Sequence, residues 1–158
     1  MGISDSKKLP EVVLLQPGMP DSDMPRLYKA VDAFVLPSRG EGWGRPHIEA
    51  MSMGLPVIAT NWSGNTEFMQ DHNSYLIRLD GMQTIDSGPF RGHKWANPCP
   101  EHLATLMRHV FNHHDEARSI GQVAAKEVRE KYSPHVLAVK VLSALAEIEK
   151  KANRLRGG

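Results

Sequence analysis

Cysteine is nearly missing from this sequence: among 158 residues, Cys99 stands alone. An internal disulfide is therefore excluded, and a reducing compartment, the cytoplasm, is the simplest expectation. Long apolar runs are missing as well, and none nears the roughly 18 residues that a membrane span needs. There is no surplus of charge of one sign. Nineteen basic residues against 18 acidic ones leave a net charge of +1, which gives no electrostatic reason to expect nucleic acid or an anionic membrane as partner. Internal repeats and low-complexity segments are absent. Residues 1–10 are polar, lack the apolar core of a signal peptide and read as a tail. What remains is ordinary globular material: 41% hydrophobic and 23% charged residues, in a length suited to one domain.

The apolar runs are short and bounded by turn residues. Val12–Leu15, Ala33–Leu36, Val57–Thr60 and Ser74–Ile77 each read as a buried strand. Between them, Met24, Leu27, Tyr28 and Val31 keep helical spacing behind Ser22 or Asp23 as N-cap, and a short helix runs from about Pro46 to Met53 and stops at Gly54. Strands this apolar, alternating with helices, imply an α/β fold: a Rossmann-like parallel sheet with helices on both faces. The C-terminal third is helical. Leu103, Leu106, Met107, Val110 and Phe111 form one apolar stripe, and Ala117, Ile120, Ala124 and Val128 a second, with Asp115 as a possible cap. The division expected is a domain over residues 11–132 and a long helix over 133–155, packed on it through Leu137, Val141, Leu145 and Ile148. Residues 80–100 show no clear period and read as a long loop pinned by a buried Trp95.

The chemistry concentrates between Leu36 and Met51. A buried parallel strand ends there, a glycine-rich turn follows, and a helix begins. In open α/β sheets that rim is where ligands bind. Gly42 and Gly44 allow the backbone close to a ligand, and the first amides of the helix suit a phosphate. Two carboxylates, Glu41 before the glycines and Glu49 one turn into the helix, frame the site. Beside an anion-binding helix start, carboxylates are suited to bind hydroxyls, each bond contributing roughly 1.5–3 kcal/mol. The site thus reads as a holder for something phosphorylated and polyhydroxylated.

The ordered set Pro37-Ser38, Glu41-Gly42-Trp43-Gly44, Pro46, Glu49-Ala50-Met51 and Gly54-Leu55-Pro56-Val57-Ile58-Ala59-Thr60 resembles family-four retaining glycosyltransferases (glycosyl transferases group 1). The resemblance runs from about Val12 to about Ala146. It implies the C-terminal, donor-binding domain of the two-domain GT-B fold, a nucleoside-diphosphate sugar as substrate, and no metal or other cofactor. It also implies roles. Glu49 would accept hydrogen bonds from the nucleotide ribose. Glu41 would act beside the donor sugar, near the reacting carbon. The backbone at Gly42, Trp43, Gly44 and Arg45 would meet sugar and diphosphate, with Ser63, Gly64 and Glu67 as a second element on the same rim. The chain departs from the family at Arg45 and Ser63, where an apolar residue and a glycine are usual. It also starts after the two strand–helix units that supply the family's basic pair, and the acceptor-binding domain is missing. A truncated chain, inactive by itself and open to self-association through an exposed sheet edge, is the resulting expectation.

Other readings are weaker. Glu41 and Glu49 in isolation would be a solvated pair, and Trp43 suits a core aromatic as well as a stacking platform. A glycosidase needs a second acid across the scissile bond, which nothing here supplies. The eight histidines include no pair at ligand spacing with carboxylate or cysteine support. A phosphorylase or epimerase would need chemistry in the missing domain, and a non-catalytic nucleotide-sugar-binding fragment is the remaining alternative.

Overall fold

The computed structural model describes residues 10–15 and 18–156 of the chain. Most of the expected tail, residues 1–9, lies outside them. Three parallel strands make the central sheet in the order β1 (Phe34–Leu36), β2 (Val57–Thr60), β3 (Tyr75–Ile77), with Phe34 opposite Val57 and Ile58 opposite Tyr75. β2 is buried at every position, and its alternation builds two cores. Val57 and Ala59 join Met51, Phe68, Met69 and Ala124 on one face, while Ile58 meets Tyr75, Ile77, Val110 and Ala117 on the other. Helices α1 (Met24–Lys29) and α2 (Arg45–Ser52) precede β2, and α3 (Pro100–Asn112) and α4 (His114–Tyr132) follow the sheet. Ala117 and Ala124 place α4 in both cores. The α/β class and both C-terminal stripes are as the sequence implies, although Met107 and Phe111 stay exposed. Asp115 falls inside the first turn of α4, whose N-cap is His113.

Three expectations fail. Val12–Leu15 forms no strand, and its four side chains are 57–87% exposed. A β-forming run becomes a strand only when a neighbour takes its backbone bonds and a layer covers its side chains. The sheet among the described residues supplies neither. Residues 80–100 hold a hairpin rather than a loop: β4 (Leu79–Thr84) pairs antiparallel with β5 (Lys94–Pro98). Gly81, at φ +95°, and a register shift between Leu79 and Met82 erase the alternation that would have marked it. Trp95 is not buried; its ring, 38% exposed, lies 5.2 Å from the Arg39 guanidinium. The last helix, α5 (Pro134–Arg156), forms behind Ser133, but Leu137, Val141, Leu145 and Ile148 are 43–62% exposed. It touches the domain through α4, where Lys140 caps the Lys131 carbonyl and overlies the Tyr132 ring. Periodicity marks an apolar face but does not supply what covers it.

Helix α4 approaches the α2–β2 connection backbone to backbone. A Cβ on Gly121 would lie 2.9 Å from the Gly54 carbonyl carbon and 3.0 Å from that of Leu55. In a free helix, Gly121→Ala would gain about 1 kcal/mol. Here the collision reverses the sign, and urea unfolding should show a loss of about 1–3 kcal/mol.

Glu127 on α4 ties down the approach to β3. It accepts from Lys131 at 2.9 Å and Asn73 at 3.3 Å, and pairs with His72 at 2.6 Å. The Lys131 and His72 bonds hold its carboxyl at about 2. A depressed carboxyl stabilises the fold above its unfolded value, and that contribution fades as pH falls from 4.5 toward 2. Acid titration of Glu127→Gln, followed by circular dichroism, should therefore show a shallower loss across that window than wild type.

Candidate functional site

β1 delivers the chain to the sheet rim at Leu36, and the following turn together with α2 carries every residue of the expected site but Ser63, Gly64 and Glu67. Gly44 caps α2 in the left-handed region (φ +94°), and Pro46 stands in the first turn where no N–H is needed. His47 and Ile48 donate back to the Gly44 carbonyl at 3.1 and 3.2 Å, starting the helix.

The second element locks onto this turn. The Glu41 N–H donates to Ser63 Oγ (3.2 Å). The Ser63 hydroxyl and the Gly64 N–H donate to the Glu41 carbonyl at 2.7 and 3.0 Å. Gly64 then passes so close that a Cβ would fall 2.6 Å from the Gly42 carbonyl carbon and 2.8 Å from Trp43 Cα. Ser63 reaches this geometry at φ +76°, the one positive φ outside glycine among the described residues. The usual glycine at that position would carry no such strain. The hydroxyl that replaces it makes two of the three bonds, which accounts for the departure. Glu67 closes the following 3-10 turn and is exposed, with no hydrogen bond to the Glu41–Gly44 turn.

Glu49 leans back toward the start of α2, as helical side chains do. Its carboxylate pairs with Arg45, the first residue of the helix, at 3.4 Å and accepts from the Tyr28 hydroxyl at 3.2 Å. Burial and the Glu49 charge push the Tyr28 phenol up to about 12, so it stays a donor. A cavity of about 200 Å³ opens beside this pair, lined by Asp21, Met24, Tyr28, Arg45, Glu49 and Ser52. Trp43 packs its ring on Phe68 (5.3 Å between centroids) and Tyr132 (5.8 Å) and remains 40% exposed. It is an anchored aromatic with one open edge.

Sequence reasoning missed three contributors. Arg39 latches the hairpin to the turn, with Nη1 donating to Gln83 at 2.7 Å and Asn97 at 3.2 Å while its carbonyl takes the Ala96 N–H at 3.0 Å. Tyr28 read as one member of a helical stripe, not as a partner of Glu49. His47 lies fully buried in the first turn of α2, edge-on to Phe34. Its place three and four residues before Ala50 and Met51, on the same face, was the available signal.

The group of metal-capable side chains within mutual reach among the described residues is Asp80, Cys99 and Glu101. The Arg78 guanidinium already lies there, 2.9 Å from Cys99 Sγ and 3.2 Å from Asp80. A cation occupies the position a metal would need.

Comparison with known proteins agrees with this geometry. The sequence model of Glycosyl transferases group 1 matches residues 3–80. O-antigen chain mannosyltransferase B of Escherichia coli is 47% identical over 53 residues, 34% of this chain and 14% of that protein. A glycosyltransferase structure from Rickettsia africae ESF-5 superposes with a TM-score of 0.65 at 26% identity, covering 82% of this chain and 31% of the other. Anabaena HepE, solved in complex with UDP and glucose, superposes with a TM-score of 0.62 at 20% identity, over 79% and 30% of the two chains, and shows the shared fold. This chain therefore spans less than a third of the length of each of these three relatives. The family match lies across the turn that joins β1 to α2, and the parallel sheet with its helices is that of the GT-B fold: over residues 3–80 the chain carries the sequence pattern of glycosyl transferases group 1.

Proposed function

We propose that this chain is the donor-binding part of a transferase that moves a hexosyl group from a nucleoside-diphosphate sugar, retaining anomeric configuration and using no metal. One observation carries the reading. The opening of α2 leaves the Arg45 N–H without an intrahelical partner beside a left-handed Gly44, with the Glu49 carboxylate folded back over the same helix start. That amide and the positive end of the helix neutralise a diphosphate, most strongly as it departs. Glu49 accepts from the two ribose hydroxyls, exchanging its weak exposed pairing with Arg45 for them. Glu41 faces the sugar, its backbone fixed by Ser63 and Gly64 so that the carboxylate is set before substrate arrives. Gly42, Trp43 and Arg45 supply the remaining wall, and Glu67 contributes from the rim.

Group transfer also needs an acceptor site. The span of the chain relative to its relatives supports acceptor binding outside these residues, and with it an inactive isolated chain. The edge of β1, unpaired among the described residues, and the exposed Val12–Leu15 run support self-association of the chain on its own. A single cysteine supports a cytoplasmic setting, and no described helix is long and apolar enough to cross a membrane.

Calorimetric titration of UDP-glucose and GDP-mannose tests the donor site. One of them should bind wild type, and Glu49→Ala should weaken it about 10- to 100-fold, the loss of two charge-assisted bonds offset by water. Equal binding by the variant would remove Glu49 from the ribose.

A further inference from the structure

His47 is a buried ionisable group that the donor reading does not use. Its side chain is wholly inaccessible, and neither ring nitrogen makes a well-formed hydrogen bond within the protein. The ring sits directly under the site. A Cβ placed on Gly44, the residue that opens α2, would fall 2.9 Å from His47 Nδ1. The carbonyls of Leu36 and Gly44 both act on the imidazole. A neutral imidazole has one N–H to offer them; an imidazolium has two.

The charges around it are few. Glu41 on the turn acts on it directly, opposing the burial that pushes its pKa below the usual histidine value. On its own helix, Arg45 and Glu49 pair with each other, and Tyr28 of α1 is tied to Glu49. Its neighbours from β1 and the 3-10 turn, Phe34 and Asn65, carry no charge. Arg39 is committed to the hairpin. Cationic support for a diphosphate at the start of α2 therefore comes from Arg45, once Glu49 turns to the ribose, and from one group beneath it that can take a proton.

We propose that His47 is a proton-coupled positioning residue of the donor site: neutral in the free protein, it takes one proton from solvent when a nucleotide diphosphate seats above it. The cation then offsets Glu41 and the phosphates together, and its second N–H fastens the turn to the end of β1. This inference rests on the proposed donor site.

Calorimetry of UDP-glucose and GDP-mannose binding in phosphate and in Tris, at about pH 7.5, reads the proton directly. The diphosphate of a nucleotide sugar is esterified at both ends and does not titrate there, so any uptake belongs to the protein. Uptake approaching one proton is expected. Affinity should rise up to about tenfold per pH unit on acidification through the window between the bound and free pKa values. His47→Asn and His47→Gln should still bind, with no uptake and a flat pH profile. Should neither variant fold, the His47 Cε1–H shift of wild type, titrated with and without UDP-glucose, reads the same proton. Binding without uptake, or uptake that persists in His47→Asn, overturns the proposal while leaving the donor site intact. Failure of both nucleotide sugars to bind overturns the donor site, and the proposal with it.

Discussion

Gly64→Ala is expected to lose upward of about 3 kcal/mol of stability, a large share of what a domain of this size has. The reason is the identity of the atoms in the way. The added methyl would meet the Gly42 carbonyl carbon and Trp43 Cα, which are backbone and have no rotamer to give. Relief requires moving the turn, which breaks the bonds from Ser63 and Gly64 to the Glu41 carbonyl. Loss of nucleotide-sugar binding should accompany the loss of stability. Gly40→Ala is the internal control, since nothing lies within 4 Å of its Cβ, and it should stay within about 0.5 kcal/mol of wild type. Urea unfolding of both variants decides the matter, and a Gly64→Ala protein as stable as wild type would show that the two elements are not packed this tightly.

Glu41→Gln should lower kcat on the order of 10²–10³-fold in a full-length group 1 transferase carrying this turn, with donor Kd changed far less. Glutamine keeps the shape and an acceptor, so ground-state contacts to sugar hydroxyls largely persist. It removes the negative charge beside a carbon that becomes oxocarbenium-like as the diphosphate leaves. The split between kcat and Kd is the diagnostic, because a purely structural role for Glu41 would move both or neither. An unchanged kcat would take Glu41 out of the chemistry. Its backbone, held by Ser63 and Gly64, makes large rearrangement of the turn in this variant unexpected.

Much of the site was legible because it depends on local backbone. Glycines at 42 and 44, Pro46 two residues further on and an apolar strand before them specify a turn and a helix start by their own torsional limits. The spacing of Glu49 fixes its carboxylate over Arg45 by helical geometry alone. The lock between Ser63-Gly64 and Glu41 was less accessible: it joins residues 22 and 23 positions apart, through one hydroxyl and two amides. His47 was harder still. A histidine in a helix reads as a surface residue unless its neighbours are known, and here burial comes from Phe34 and from the packing under Gly44.

The sequence by itself determined the elements whose pattern is local and strongly periodic: β1 to β3, the turn into α2, and the stripes of α3 and α4. Tertiary structure decided everything that needed a partner. Val12–Leu15 has the composition of a strand yet lies exposed, because a strand is completed by a neighbour's hydrogen bonds. The apolar face of α5 keeps its period and finds no cover among the described residues. The β4–β5 hairpin lacks alternation and forms nonetheless, since ladder bonds and the Arg39 latch hold what side-chain burial does not. Periodicity records which face of a segment prefers to leave water; only the folded chain determines whether another surface is there to receive it.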